Sequence, residues 1–300
     1  MNIMDRKKIT TGYLLVIFSA VVFGCMPLMV KRIYADGVNS MSVVFLRNLL
    51  SVPVVGTLAW FQRKSLKVSP RALPSVAAIG IMGCCLAPVL LFSSYFFMAS
   101  GTATILHFVY PAAVVLGGVL FYRERITLGS LVSMLVCVAG MAMFYSPGEP
   151  LDWRGSVLAV VSGFAYAAYI LLLSHFRYKE EISGFLLNFY IFSINSLVML
   201  GVCWVSGMLT FPSTLGGWAT CCLIAVAVNA GAVAMFQWGT LIIGGQQAAI
   251  LSTMEPITSV FVGILVFQET MNLRTALGSA LVILASILIV VTDMKQKTAQ

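Results

Sequence analysis

Ten apolar runs of about 20 residues, separated by short charged or turn-rich segments, dominate the chain. A helix rises about 1.5 Å per residue, so a run of that length crosses a hydrocarbon layer of roughly 30 Å, where helices satisfy their own backbone polar groups. The runs lie at about 11–30, 41–61, 74–97, 101–121, 126–144, 154–173, 184–206, 216–241, 246–267 and 271–291. The expected class is an all-α membrane protein of ten transmembrane helices. Composition agrees, with 60% hydrophobic and 9% charged residues against the roughly one quarter charged that is normal for a soluble domain. The opening Met-Asp-Arg-Lys-Lys followed by an apolar run to Gly24 and Cys25 has the look of a lipoprotein signal. Because apolar character continues to Val30, the run is read as an uncleaved span.

A second feature restricts the architecture further. The stretch Ala103 to Glu124, ATILHFVYPAAVVLGGVLFYRE, returns 145 positions later as Ala248 to Glu269, AAILSTMEPITSVFVGILVFQE. Pro111 falls on Pro256 and Glu124 on Glu269, while Gly12, Ser19 and Phe23 correspond to Gly155, Ser162 and Tyr166. Residues 1–147 and 148–300 are therefore expected to be two copies of one five-helix unit within a single membrane domain. Five is odd, so the second copy enters the bilayer from the opposite side, the inverted repeat that recurs in secondary transporters.

Thirteen Lys and Arg gather on the side that holds the N-terminus and four on the other, which predicts both termini in the cytoplasm. The net charge of +8 is scattered over segment ends and implies no nucleic-acid partner. All seven cysteines lie in apolar runs, with no CxxC and no histidine at zinc-ligand spacing, so they read as small packing residues. No metal or cofactor is expected. GxSxG, HExxH and GxxxxGK[ST] are absent and the loops are short, which leaves a membrane-embedded lipid-modifying enzyme as a distant alternative. A sensor or interaction protein would be expected to carry an extramembrane domain, and the chain has no segment of that composition.

Polar groups deep in the runs are the candidate functional residues, because burial in hydrocarbon costs several kcal/mol unless the group faces a cavity or a partner. Glu255 stands about ten residues into the ninth run, near the midplane. It is read as a transport residue, against the alternative of a protonated carboxyl bonded to a neighbouring helix. Arg47, in the second run, is suited to a substrate carboxylate or a buried acid; snorkelling to the interface competes with that reading. His107 precedes Tyr110, the repeat counterpart of Glu255, by one turn. Ligand contact and simple packing are equally compatible with it. Pro111 and Pro256 each remove a backbone hydrogen bond in mid-run and are candidate hinges. Tyr95, Tyr166, Tyr169, Asn188, Asn229, Gln237, Trp238 and Ser252 are candidate cavity-lining residues.

The Tyr110-Pro111 and Glu255-Pro256 stretches with their closing glutamates, and Phe45-Leu46-Arg47-Asn48-Leu49 in the second run, resemble the EamA family of the drug/metabolite transporter superfamily. The resemblance covers nearly the whole chain. It implies a permease of the bacterial cytoplasmic membrane, often an exporter of amino acids or other small metabolites, that alternates access to a cavity between its halves. An importer or facilitator of the same family is the alternative. Protons are a candidate coupling ion, no ATP-binding motif is present, and a monomer or a homodimer is expected. Gln268-Glu269 departs from the family's common Gly-Glu, and His107 is not a residue the family leads one to expect at its position.

Overall fold

The structure, a computed structural model, describes residues 3–62, 68–143, 152–179, 181–267 and 273–299. Among these residues the chain is helical and no strand occurs. A broken first rod consists of α1 (Ile3–Phe23) and α2 (Met26–Ala35), and α3 (Ser40–Phe61) follows. The third rod runs as α4 (Leu73–Gly80), a π-helical segment (Ile81–Leu86) and α5 (Ala87–Ser94). Next come α6 (Ser100–His107) and α7 (Tyr110–Tyr122), then α8 (Leu128–Met143), α9 (Trp153–Ser174) and α10 (Gly184–Ser206). A second composite rod joins α11 (Leu215–Leu223), a π-helical segment (Ile224–Val233) and α12 (Ala234–Ile243). The broken pair α13 (Gly245–Leu251) and α14 (Met254–Phe267) precedes α15 (Leu273–Ala299).

Eight of these rods are long and apolar enough to cross a membrane: 7–35, 40–61, 73–94, 100–122, 153–174, 184–206, 215–243 and 273–294. They coincide with eight of the ten expected runs. Of the remaining two, the fifth forms the shorter helix α8 and the ninth is divided between α13 and α14. Leu120, Phe121, Trp204, Val205 and Leu215 are exposed on the outside of the bundle, as lipid-facing side chains should be. Glu269 and the loop charges Arg63, Lys64 and Lys67 lie outside the described residues.

Side chains fix where the helices start. Asn39, Asp152, Ser183 and Thr214 each accept a hydrogen bond from a backbone N–H in the first turn of α3, α9, α10 and α11, caps that typically contribute about 1 kcal/mol. The prolines act at starts too. Pro27 and Pro111 occupy the first turn of α2 and α7, and Pro256 is the third residue of α14. A residue without an N–H costs nothing there. At Pro111 and Pro256, the candidate hinges, the helix thus stops and restarts, through Phe108-Val109 and Ser252-Thr253.

Two glycines let neighbouring rods close on those breaks. A Cβ at Gly24 would lie 2.6 Å from the Glu255 carbonyl oxygen, and one at Gly163 would collide with the carbonyl of His107. The π-helical segments are a second irregularity, and the later one contains the positions 145 residues on from the earlier. Such segments leave carbonyls poorly satisfied and gather at functional sites. Here α3 serves both: Asn48 Nδ2 donates to the Cys84 carbonyl at 3.1 Å, and Ser51 Oγ lies 3.1 Å from the Ala225 carbonyl.

Candidate functional site

A cavity lies where the broken and π-helical segments converge. Its polar lining comprises Arg47 from α3, His107 from α6, Tyr166 and Tyr169 from α9, and Glu255 from α14; Phe23, Met26, Cys84 and Phe92 are among the apolar walls. The cavity extends from the middle of the bundle toward the end where α5 finishes and α3 begins. Leu91 and Phe92 are in the last turn of α5, and Ser40 Oγ meets Ser93 Oγ at 2.8 Å.

Arg47 is 3% exposed. Its Nε and Nη2 both donate to Asn229 Oδ1, at 2.9 and 2.5 Å, and Nη1 approaches Met26 Sδ at 3.6 Å. The guanidinium also lies over the Phe92 ring, 5.9 Å from its centre. It reaches no carboxylate among the described residues. Glu255 likewise meets no cation there. Tyr166 lines the same cavity as both groups.

Aromatic rings build the surround. Tyr166 contacts His107, Tyr110 and Tyr169 at ring separations of 5.5, 4.9 and 5.3 Å. His107 Nδ1 lies 2.7 Å from Ser162 Oγ, and Tyr110 Oη lies 2.6 Å from Ser252 Oγ. That second bond joins the restart of one broken helix to the stop of the other.

The structure therefore brings Arg47, His107, Tyr166, Tyr169 and Glu255 onto one surface and sets Tyr110, Ser252 and Asn229 directly behind it. Tyr95 flanks it, with its hydroxyl 3.5 Å from Thr104 Oγ1. Pro111 and Pro256 are buried at the breaks. Gln237 is fully buried behind Tyr169. Trp238 is not on the wall, since its indole packs against Gly184 and edge-on to Phe185, 4.9 Å away. Asn188 is fully buried and also absent from it.

The opposite end, which carries the start of α1 and the finish of α15, is closed by two polar clusters, each tied to α13 by a glutamine. Gln246 Nε2 donates to Glu124 Oε2 at 2.6 Å, and Glu124 Oε1 lies 3.2 Å from His175 Nε2, whose ring stacks on Tyr122. Gln247 Nε2 donates to Asp293 Oδ1 at 2.8 Å, and Tyr13 Oη donates to the other oxygen of Asp293. Sequence reasoning missed this closure. Its one signal was Glu124, the acid that ends the first copy of the repeated stretch. At the cavity end, outside the spans, the Asp36 carboxylate accepts from the Thr214 N–H at 3.1 Å, which lowers its pKa below the usual carboxylate value.

The comparisons with known proteins follow the same outline. The model of the EamA-like transporter family matches residues 10–146 and again 153–291. An uncharacterized transporter of Archaeoglobus fulgidus is 27% identical over 93% of this chain and 95% of its own. The pseudopaline exporter CntI of Pseudomonas aeruginosa is 26% identical over 95% of this chain and 97% of its own. A solved crystal structure superposes with a TM-score of 0.76 over 94% of this chain and 98% of its own, at 13% identity, which establishes likeness of fold. With the family model covering both halves and the apolar rods able to span a bilayer, the chain belongs to the EamA-like transporter family and is an integral membrane transporter.

Proposed function

We propose that the protein is a secondary transporter of the bacterial cytoplasmic membrane that exports a small zwitterionic metabolite, such as an amino acid, by alternating access through the cavity described above. The observation that carries this reading is the separation of Arg47 and Glu255. They line one cavity, one a guanidinium and the other a carboxyl group, and neither meets an ion-pair partner among the described residues. Uncompensated charges in a membrane interior are costly and mark ligand paths. A ligand with a carboxylate for Arg47 and an ammonium for Glu255 offsets both costs at once.

The architecture belongs to the same proposal: ten spans as two inverted five-helix repeats, α13 and α14 together making the ninth and both termini cytoplasmic. The double match of the family model and the 145-residue offset support it. With the termini inside, the α13 contacts form a closed cytoplasmic gate and the cavity faces outward. Export as the direction is supported by the relative named as an exporter. Glu255 is the group at which any proton linkage is placed.

A screen of metabolites for thermal stabilisation tests the reading, because a ligand that binds only the folded protein raises its apparent stability. Zwitterions should stabilise the protein, whereas the corresponding amines and carboxylic acids alone should not. Equal stabilisation by a singly charged analogue would remove the need for two poles.

A further inference from the structure

Ser162 determines which nitrogen of His107 carries a proton. Its Oγ donates to the Ala159 carbonyl at 2.6 Å, one turn back along α9, and so commits the only proton the hydroxyl has. Toward His107 Nδ1, 2.7 Å away, the same oxygen must accept. Nδ1 is therefore the N–H, and in the neutral imidazole Nε2 is left as a bare lone pair. His107 lines the cavity, its Nδ1 is engaged by Ser162, and Nε2 has no hydrogen-bond partner among the described residues. A parallel arrangement surrounds Tyr110: Ser252 Oγ lies 3.0 Å from the Ala249 carbonyl and 2.6 Å from the Tyr110 hydroxyl.

We propose that His107 Nε2 and the Glu255 carboxylate form an acceptor-only pole that selects a substrate amine bearing N–H groups, and that Ser162 is the positioning residue that sets this pole. The inference rests on the zwitterion reading of the cavity and deepens it. Surrounding rings alone would favour the opposite choice, because cages of Tyr and Phe faces attract quaternary ammonium groups. A primary or secondary ammonium can donate to both Nε2 and the carboxylate. A trimethylammonium can donate to neither, and its methyl groups would leave the buried lone pair unsatisfied, the kind of mismatch that gives strong discrimination.

The test uses the purified full-length protein with a panel of α-amino acids, each paired with its N,N,N-trimethyl betaine, and thermal stabilisation as the readout. The wild type should respond to the amino acid at a concentration more than about tenfold below that of its betaine. Ser162→Ala, and His107→Phe which keeps a ring against Tyr110 and Tyr166, should bring that ratio close to one by weakening the amino acid while leaving the betaine unchanged. A merely structural role would weaken both ligands alike. Ser162→Ala removes one hydroxyl and carries the test if His107→Phe does not fold. Equal wild-type affinities, a preference for the betaine, or variants that keep the wild-type ratio overturn the role of His107 and leave the zwitterion reading intact. Failure of every zwitterion to stabilise the wild type overturns that reading, and this inference with it.

Discussion

Asn229 and Arg47 hold each other reciprocally. Asn229 Oδ1 accepts from Arg47 Nε and Nη2 at 2.9 and 2.5 Å, and Asn229 Nδ2 donates to the Arg47 carbonyl at 2.9 Å. The clamp fixes a fully charged guanidinium at the cavity wall without neutralising it. A neutral amide does what an aspartate could not.

The first prediction follows from that distinction. Asn229→Asp supplies an internal partner of opposite charge, so Arg47 is no longer free for a substrate carboxylate. Carboxylate-bearing ligands should lose more than about tenfold in affinity, equivalent to roughly 1.4 kcal/mol, while the unliganded protein melts no lower than the wild type. Ligand-dependent melting curves measure both quantities, and an unchanged affinity would remove Arg47 from the binding site.

Gly24 tests the geometry of the broken first rod. Alanine there places a Cβ 2.6 Å from both the Glu255 carbonyl oxygen and the Thr258 Cβ. Overpacking of this kind costs about 1–3 kcal/mol, and it displaces the backbone that carries Glu255. Gly24→Ala should lower the melting temperature and impair transport together, whereas Gly101→Ala, with open space around it, should change neither.

The closed end should loosen when α13 loses its anchors. Gln246→Ala removes a charge-assisted hydrogen bond to Glu124, of a kind that contributes about 1.5–3 kcal/mol. Amide hydrogen exchange across 245–251 should rise by about tenfold or more, with α9 and α10 little affected. Uniform exchange in wild type and variant would show that Glu124 and Gln246 do not hold this end shut.

Acid should act on the other end. Asp36 binds the backbone of Thr214 and the hydroxyl of Ser213, chiefly through the Thr214 N–H, and its folded pKa is depressed below the ordinary 3.8. A depressed carboxylate contributes stability that is complete above the unfolded value and disappears as pH falls through the folded one. Melting temperature should therefore drop as pH falls below 3.8, and Asp36→Asn should flatten that part of the profile. Because the group is exposed, the effect will be small.

Much of this was legible in the sequence because membrane burial makes polar residues conspicuous. Arg47, His107, Tyr166 and Glu255 stood out as polar groups in apolar runs and share one cavity. Trp238 did not join them, since an aromatic ring in a span reports burial and not direction. The helix breaks were visible as Pro111 and Pro256, yet whether a proline kinks a helix or restarts one depends on tertiary contacts such as that between Tyr110 and Ser252. The π-helical segments had no compositional mark, because Ile81–Leu86 and Ile224–Val233 are as apolar as their neighbours. Nor did Gln246, Gln247 and Asp293, which sit at run ends where polar residues are ordinary and become distinctive only through long-range pairing with Glu124 and Tyr13.

The central claim is that the cavity recognises a zwitterion through Arg47 and Glu255 as separate poles, and transport by protein reconstituted in liposomes tests it most directly. The wild type should accumulate a zwitterionic metabolite identified by the stabilisation screen, while Glu255→Gln should transport it at least about tenfold more slowly and with an altered pH profile. A Glu255→Gln protein with the wild-type rate and pH dependence across the zwitterions tested would contradict the account.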